Sequence, residues 1–372
     1  MKEGDFRYTQ IFKKTGIDIY TFIICSEMKK KIDDICKLLD IKHIPKKLFT
    51  DYKLNTDFKK TLYTDKFEIL FIGLNKEKNC SHKELYNAYG KLGVHMNDLS
   101  DGPKSINVYL ISTDPNEIKN EVISYILGFY NFSKFKTDES TTSKTPITYF
   151  YHRQKKFKNI INEAIYEAHI QNEIRSLINT PTNILNSKSY LAYIKNNLPP
   201  DVNLRILNES QLKKQGLNLI LGVNQGSSNK PLLIILEYSH NSAEKPIALI
   251  GKGVMFDTGG YNIKMGDFSD MKNDMAGSAI IFGIFKLLSH FKVKGNYIGL
   301  LPIVENMVDA KSIRPGDILT AYNKKTIEVI DTDAEGRLIL ADALAYSGKF
   351  KPRMCIDVAT LTGQAASIFG NK

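Results

Sequence analysis

Two rhythms of apolar and polar positions run along the chain. Short apolar runs bounded by turn residues alternate with longer stretches whose apolar positions recur every three or four residues. Phe67–Leu74 (FEILFIGL) and Ile106–Ser112 (INVYLIS) follow the first pattern and predict strands. Ser81–Leu92 and Asn116–Tyr130 follow the second and predict helices. Together they predict a small N-terminal α/β domain over residues 1–150. The polar stretch Lys134–Pro146 (KFKTDESTTSKTP) interrupts the apolar pattern and reads as a linker or loop.

A long helical pattern then runs from about Asn159 to Leu177 and stops before Pro181. Beyond it, strands are predicted at Leu217–Val223, Pro231–Tyr238, Ile247–Ile250, Tyr297–Pro302, Thr326–Ile330 and Met354–Ala359. Helices are predicted at Asp270–Phe291 and Gly336–Gly348. Alternating β and α elements imply a second domain over 151–372, with a mostly parallel central sheet flanked by helices. Such sheets bind ligands at the carboxyl ends of their strands. No internal repeat, heptad run or low-complexity tract is present.

Composition adds little that is unusual. With 372 residues, two domains are the natural expectation. A 42% hydrophobic and 24% charged composition is that of a soluble globular protein. Fifty-one Lys and Arg against 40 Asp and Glu give a net charge of +11, which could attract nucleic acid. The cations are mostly lysines spread along the chain, without an Arg-rich block or zinc-finger spacing. A solvated surface is the stronger reading, and nucleic acid is not an expected partner. Cys25, Cys36, Cys80 and Cys355 are scattered and form no CxxC pair, which suits free thiols in a reducing compartment. The N-terminal MKEGDFRYTQIFKKTG lacks an apolar core, and the apolar stretch near Ile17–Cys25 is short and contains Asp18. Neither a signal peptide nor a membrane span is expected, and the cytoplasm is the default location.

Candidate chemistry concentrates in two segments, each placed just after a predicted strand. The first, GKGVMFDTGGYNIKMGDFSDMKNDMAGSA at 251–279, sets Lys252, Asp257, Lys264 and Asp274 among glycines. Gly251, Gly253, Gly259 and Gly260 leave the backbone free to take positive φ and to approach a ligand. A solvated surface loop could share that composition; a phosphate loop is excluded because the GxxxxGK[ST] order is absent. The second, DTDAEGRL at 331–338, places Asp333 and Glu335 two residues apart. In an extended stretch they would share a side and repel unless a cation lay between them. Alternatively they form an acidic turn capping the helix that begins near Gly336. Together, Asp257, Asp274, Asp333 and Glu335, with Lys252 nearby, suit two divalent metals. None of the seven histidines falls in either segment, so a histidine-based zinc site is not expected.

GKGVMFDTGG, SDMKNDMAGSA and above all TDAEGRLILADAL resemble the leucine aminopeptidase family of two-metal exopeptidases. ILGFYNFSKFKT, RSLINTPTNIL, LGVNQGSSNKPLLIILEY, LPIVENMVDAKSIRPGDILTAYNKKTIEVI and ATLTG are similar to it as well, so the likeness runs from about residue 120 to the end. The resemblance implies that residues 151–372 form a catalytic aminopeptidase domain which releases N-terminal, leucine-like residues from peptides. It implies that Asp257 and Glu335 bridge two metals, that Lys252 and Asp274 complete one site, and that Asp333 completes the other. It further implies that Lys264 polarises the scissile carbonyl and that Arg337 holds a bicarbonate ion acting as general base. Met271, Thr360, Leu361 and Gly363 would line the pocket for the first side chain. Zn is the family's usual metal, with Mn, Mg or Co able to replace it in one site, and the family assembles as a homohexamer.

Two departures qualify the resemblance. Asp331 stands where the family usually has Asn, and Thr258 where it usually has Ser. Family members also continue well past ATLTG, so the resemblance implies a C-terminally truncated catalytic domain with exposed sheet edges. That leaves two other functions open: a catalytically weak or inactive binding or assembly protein on the same scaffold, or accessory DNA binding.

Overall fold

The computed structural model describes residues 5–9, 19–24, 59–63, 68–73, 82–98, 105–137 and 146–370. The chain divides into two units, Met1–Asn172 and Glu173–Lys372.

In the first unit, six strands make one sheet: β1 (Asp5–Thr9), β2 (Ile19–Ile24), β3 (Lys59–Tyr63), β4 (Glu68–Gly73), β5 (Ser105–Tyr109) and β6 (Ile147–Tyr151). Their order is β1-β6-β5-β2-β4-β3, parallel throughout except for the β3–β4 pair. Helices α1 (His82–Asn97) and α2 (Pro115–Gly128) meet backbone to backbone. A Cβ on Gly93 would lie 2.1 Å from the Tyr125 carbonyl oxygen, and one on Gly128 would lie 2.0 Å from that of Gly90. Helix α2 starts where Asp114 accepts the N–H groups of Asn116 and Glu117, with Pro115 in the first turn. Helix α3 (Lys158–Asn179) begins in this unit, and the division falls within it. The predicted strands and helices of this region are found as β4, β5, α1 and α2. Most of the predicted linker, 138–145, lies outside the described residues, as do Cys25, Cys36, Cys80 and His43.

The second unit holds α4 (Ser187–Asn196), β7 (Val202–Leu207), α5 (Glu209–Gln215), α6 (Asn218–Val223), β8 (Leu232–His240), β9 (Ile247–Gly251) and β10 (Gly253–Asp257). It continues with α7 (Ala276–His290), β11 (Gly295–Asn306), β12 (Ile318–Thr320), β13 (Thr326–Glu328), α8 (Glu335–Ser347), β14 (Met354–Val358) and α9 (Gln364–Phe369). The sheet runs β14-β9-β11-β8-β7, and β10 pairs farther along β11. The β14–β9, β9–β11 and β10–β11 pairs are parallel, and β11–β8 and β8–β7 are antiparallel. Both faces are covered, which explains the continuous apolar run in β8. Leu233 and Ile235 pack with Leu212, Ile220 and Ile339 on one face. Ile234 and Leu236 pack with Tyr190, Phe282 and Phe285 on the other.

The α/β expectation with a mostly parallel sheet holds, with two local corrections. Leu217–Val223, predicted as a strand, is helix α6. A short apolar run has no decisive period, and what settles this one is distant in sequence. The buried Asp342 carboxylate accepts the Leu219 and Ile220 N–H groups at 2.8 and 3.3 Å, capping the helix from α8. The helix predicted over Asp270–Phe291 is broken into a 3-10 turn at Ser269–Asn273 and α7. The Asp274 carbonyl is taken by Val254 N–H of β10 at 3.2 Å, so the chain cannot stay helical there.

Candidate metal centre

Strand β9 leads directly to Lys252, which interrupts the run into β10. The Lys252 N–H donates to the Val358 carbonyl at 3.0 Å, and its carbonyl accepts Ser278 N–H at 2.8 Å. Glycines permit this crowding. A Cβ on Gly277 would lie 2.1 Å from the Val358 oxygen, and one on Gly251 would lie 2.6 Å from the Gly277 oxygen. The Lys252 side chain then passes Gly336, where a Cβ would sit 2.7 Å from both Cε and Nζ.

The ammonium ends in a buried cage. Nζ lies 2.8 Å from Asp274 Oδ1 and 2.8 Å from Glu335 Oε1, and donates to the Thr360 carbonyl at 3.0 Å. Thr360 Oγ1 also donates to Asp274 Oδ1 at 2.8 Å. Lys252, Asp274 and Glu335 are 2%, 4% and 1% exposed, so water does not screen their charges. Burial alone would neutralise the lysine, but the carboxylates of Asp274 and Glu335 outweigh it and hold the ammonium above its ordinary pKa. Burial pushes Asp274 up to about 7 and raises Glu335 as well, against the pull of Lys252. The directions agree physically: one ammonium cannot neutralise two buried carboxylates.

A second lysine builds the neighbouring cage. After β10, Gly259 and Gly260 take φ of 89° and 63°, the left-handed turn expected of them. Gly251 and Gly253 are not among the positive-φ residues and serve close packing instead. The turn returns Lys264, whose N–H donates to the Thr258 carbonyl at 2.9 Å. Lys264 Nζ lies 2.8 Å from Asp257 Oδ2 and 2.5 Å from Asp333 Oδ1. Burial opposes its charge, but the hydrogen bonds it donates to Asp257 and Asp333 prevail and raise its pKa. Asp333 is itself raised, first by burial, with Lys264 opposing and the nearby Asp257 and Asp331 charges adding.

Asp333 and Glu335 do not share the side of an extended stretch. Asp333 lies in a turn and Glu335 opens α8, so they face different lysines. Nor does a side chain cap this helix. Asp331 is exposed, and its Oδ1 accepts the Asp333 N–H at 2.9 Å, holding the turn. That bond needs only one carboxylate oxygen, and an asparagine could make it too.

Among the described residues, Asp257, Asp274 and Glu335 each offer a ligand atom within 4.8 Å of one another, with no histidine in the group. Asp274 Oδ2 and Glu335 Oε2 are buried and accept no hydrogen bond. Leaving a buried acceptor without a partner costs about 1–3 kcal/mol, more for a charged one. A divalent cation satisfies such oxygens and their excess charge together, so the donor set fits one.

The other predicted site residues take varied positions. Met271 sits in the 3-10 turn, and its carbonyl accepts Asp274 N–H at 3.3 Å. Thr360 joins the first cage, whereas Leu361 and Gly363 follow it on an exposed stretch. Arg337 is exposed in the first turn of α8. Two buried residues that the sequence reading assigned no role also touch the cluster. Asn306 Nδ2 donates to Asp257 Oδ1 at 2.8 Å, and Thr332 Oγ1 donates to the Gly259 carbonyl at 2.7 Å. Both lie within segments quoted above for their family likeness, which is the only signal that marked them.

A family profile described as the cytosol aminopeptidase family, catalytic domain, matches residues 172–372. A probable cytosol aminopeptidase of Agrobacterium fabrum is 36% identical over 82% of this chain and 63% of its own length. One of Brucella melitensis is 40% identical over 68% of this chain and 54% of its own length. One of Phytoplasma australiense is 33% identical over 96% of this chain and 76% of its own length. The chain thus spans less than two thirds of the Agrobacterium and Brucella proteins. Among solved structures, the bottromycin maturation enzyme BotP in complex with Mn is similar with a TM-score of 0.77 and 20% identity. That likeness covers 95% of this chain and 74% of BotP and concerns the fold.

Proposed function

The chain belongs to the cytosol aminopeptidase family, and on that premise we propose that its second unit hydrolyses the N-terminal residue from peptides with the help of divalent metal ions. The observation that carries this reading is the pair of lysine–carboxylate cages with two buried carboxylate oxygens lacking partners. Lys252, Asp257, Asp274, Asp333 and Glu335 would hold two ions, Zn in the first instance, with Mn, Mg or Co as substitutes. Lys252 must lose its proton to serve as a ligand, which incoming divalent charge favours. When bound, the two ions would supply Lewis acidity that acidifies a water and polarises the substrate.

The chain's own groups supply the rest. Lys264 keeps its charge and donates a hydrogen bond to the scissile carbonyl as negative charge develops there. Arg337 would hold a bicarbonate ion, which would supply a general base. Met271, Thr360, Leu361 and Gly363 receive a leucine-like first side chain. The family likeness further supports a cytoplasmic homohexamer, which sedimentation of the purified chain tests. No helix among the described residues is long and apolar enough to cross a membrane.

Titrating Zn or Mn into the purified chain while assaying a leucine amide tests the reaction. Metal-dependent turnover is expected, reduced about 100-fold or more by Lys264→Ala. Absence of metal-dependent turnover, or a Lys264→Ala variant as active as the parent, overturns the proposal. A second reading, a binding or assembly protein, is favoured by the exposed apolar residues Met354, Ile356, Ile368 and Phe369. It predicts metal binding without turnover.

A further inference from the structure

We propose that Asn306 is a positioning residue that fixes the Asp257 carboxylate and locks the two loops of the metal centre to each other; this rests on the metal-dependent reading above. Asn306 ends β11 and is 2% exposed. Both protons of its amide are committed. Nδ2 donates to Asp257 Oδ1 at 2.8 Å and to the Thr332 carbonyl at 3.0 Å. Its own carbonyl accepts the Thr258 N–H at 2.9 Å and the Thr258 hydroxyl at 2.8 Å. One side chain and its backbone therefore grip the end of β10, the turn after it and the loop before α8.

Thr332 completes the lock from the other side. Its hydroxyl donates to the Gly259 carbonyl at 2.7 Å and accepts Asn262 N–H at 2.8 Å. Asn262 Oδ1 in return accepts Thr332 N–H at 2.9 Å. The segment that carries Asp333 and Glu335 is thereby tied to the one that carries Asp257 and Lys264.

The consequence for Asp257 is directional. The last torsion of an aspartate is broad and roughly two-fold, so it does not by itself choose which oxygen faces a ligand. Here Gly259 N–H and the Asn306 amide both occupy Oδ1, at 2.9 and 2.8 Å, leaving Oδ2 on the Lys264 side at 2.8 Å. Removing the amide frees the carboxylate to rotate and leaves the Thr332 carbonyl without its donor. Loss of such outer partners typically weakens metal binding about 10- to 100-fold.

The test is a Mn(II) titration by calorimetry into the chelator-stripped full chain, with electron paramagnetic resonance of bound Mn(II) and thermal unfolding without metal. Asn306→Ala is compared with the near-isosteric Asn306→Asp, which keeps the side chain's shape if the alanine variant does not fold. Asn224→Ala is the structural control: Asn224 is buried and bonds the Glu305 N–H at 2.9 Å and the Asn229 carbonyl at 2.8 Å. We expect both Asn306 variants to bind Mn(II) about 10- to 100-fold more weakly with an altered resonance spectrum. Asn224→Ala lowers the unfolding temperature and leaves Mn(II) affinity unchanged. Parent-like binding in the Asn306 variants, or equal weakening in Asn224→Ala, overturns the assignment alone. A parent chain that binds no Mn(II) overturns the metal-dependent reading and this assignment with it.

Discussion

Gly336→Ala places a single methyl group against Lys252, a buried lysine held by three acceptors. Its Cβ would lie 2.7 Å from Lys252 Nζ and Cε and 3.0 Å from Cδ. Ordinary carbon contacts are about 3.5–4.0 Å, so the end of Lys252 must move by about 1 Å. A flexible lysine would yield easily at a surface, but this one is anchored at three points. A 1 Å shift, roughly, carries Nζ beyond hydrogen-bond range of acceptors now at 2.8, 2.8 and 3.0 Å. The perturbation then equals breaking a buried ion pair, which costs about 3–5 kcal/mol. For a unit of this size, about 2–4 °C is lost per kcal/mol, so the unfolding temperature should fall by about 6–20 °C. Gly348→Ala is the matched control, because nothing lies within 4 Å of its Cβ position. Calorimetric or circular-dichroism melting of the metal-free parent and both variants makes the comparison. A Gly336→Ala melt within the scatter of Gly348→Ala would refute the claim that Lys252 is pinned.

Two further substitutions probe other parts of the fold. Buried Glu121 is raised to about 8 by desolvation, opposed by its hydrogen bonds from Ser112 and the Ile111 backbone, with the Glu117 charge adding; Tyr89 faces it as well. The native state therefore keeps a proton that the unfolded chain releases above pH 4.5, and stability is full below that pH and falls as pH rises through 8. Glu121→Gln should flatten the part of the slope due to this group, up to about 5 kcal/mol between those limits; urea midpoints of parent and variant at pH 5 and 8 that run in parallel would contradict this. Asp342→Ala strands the N–H groups of Leu219, Ile220 and Tyr322, which its carboxylate accepts at 2.8, 3.3 and 2.8 Å. It should cost about 3 kcal/mol or more in urea unfolding, and a loss below about 1 kcal/mol would show that α6 does not depend on this cap.

How much of this could be read from the chain depended on how local the deciding contact was. The apolar run Leu232–Leu236 announced a strand covered on both faces, because alternate residues enter the two cores. Leu217–Val223 looked similar, but the Asp342 carboxylate that makes it a helix lies more than a hundred residues away. Likewise, Asp274 sits inside a helical pattern and is withdrawn from it by β10. The motifs named the charged residues of the site, and Lys252, Asp257, Lys264, Asp274, Asp333 and Glu335 do converge in space. Their division into two lysine cages was not legible, since it depends on where the turn at Gly259 and Gly260 returns Lys264. The roles of Asn306 and Thr332 were hidden for a different reason: an amide and a hydroxyl announce no chemistry until their partners are known.

The central claim is that these carboxylates and lysines hold divalent ions that drive peptide hydrolysis. Its most direct test is hydrolysis of a leucine amide by the chelator-stripped chain as a function of added Zn or Mn per chain. The account predicts no turnover without metal and a rise that levels off near about two equivalents. Turnover that is indifferent to added metal, or none at any metal level, would contradict it.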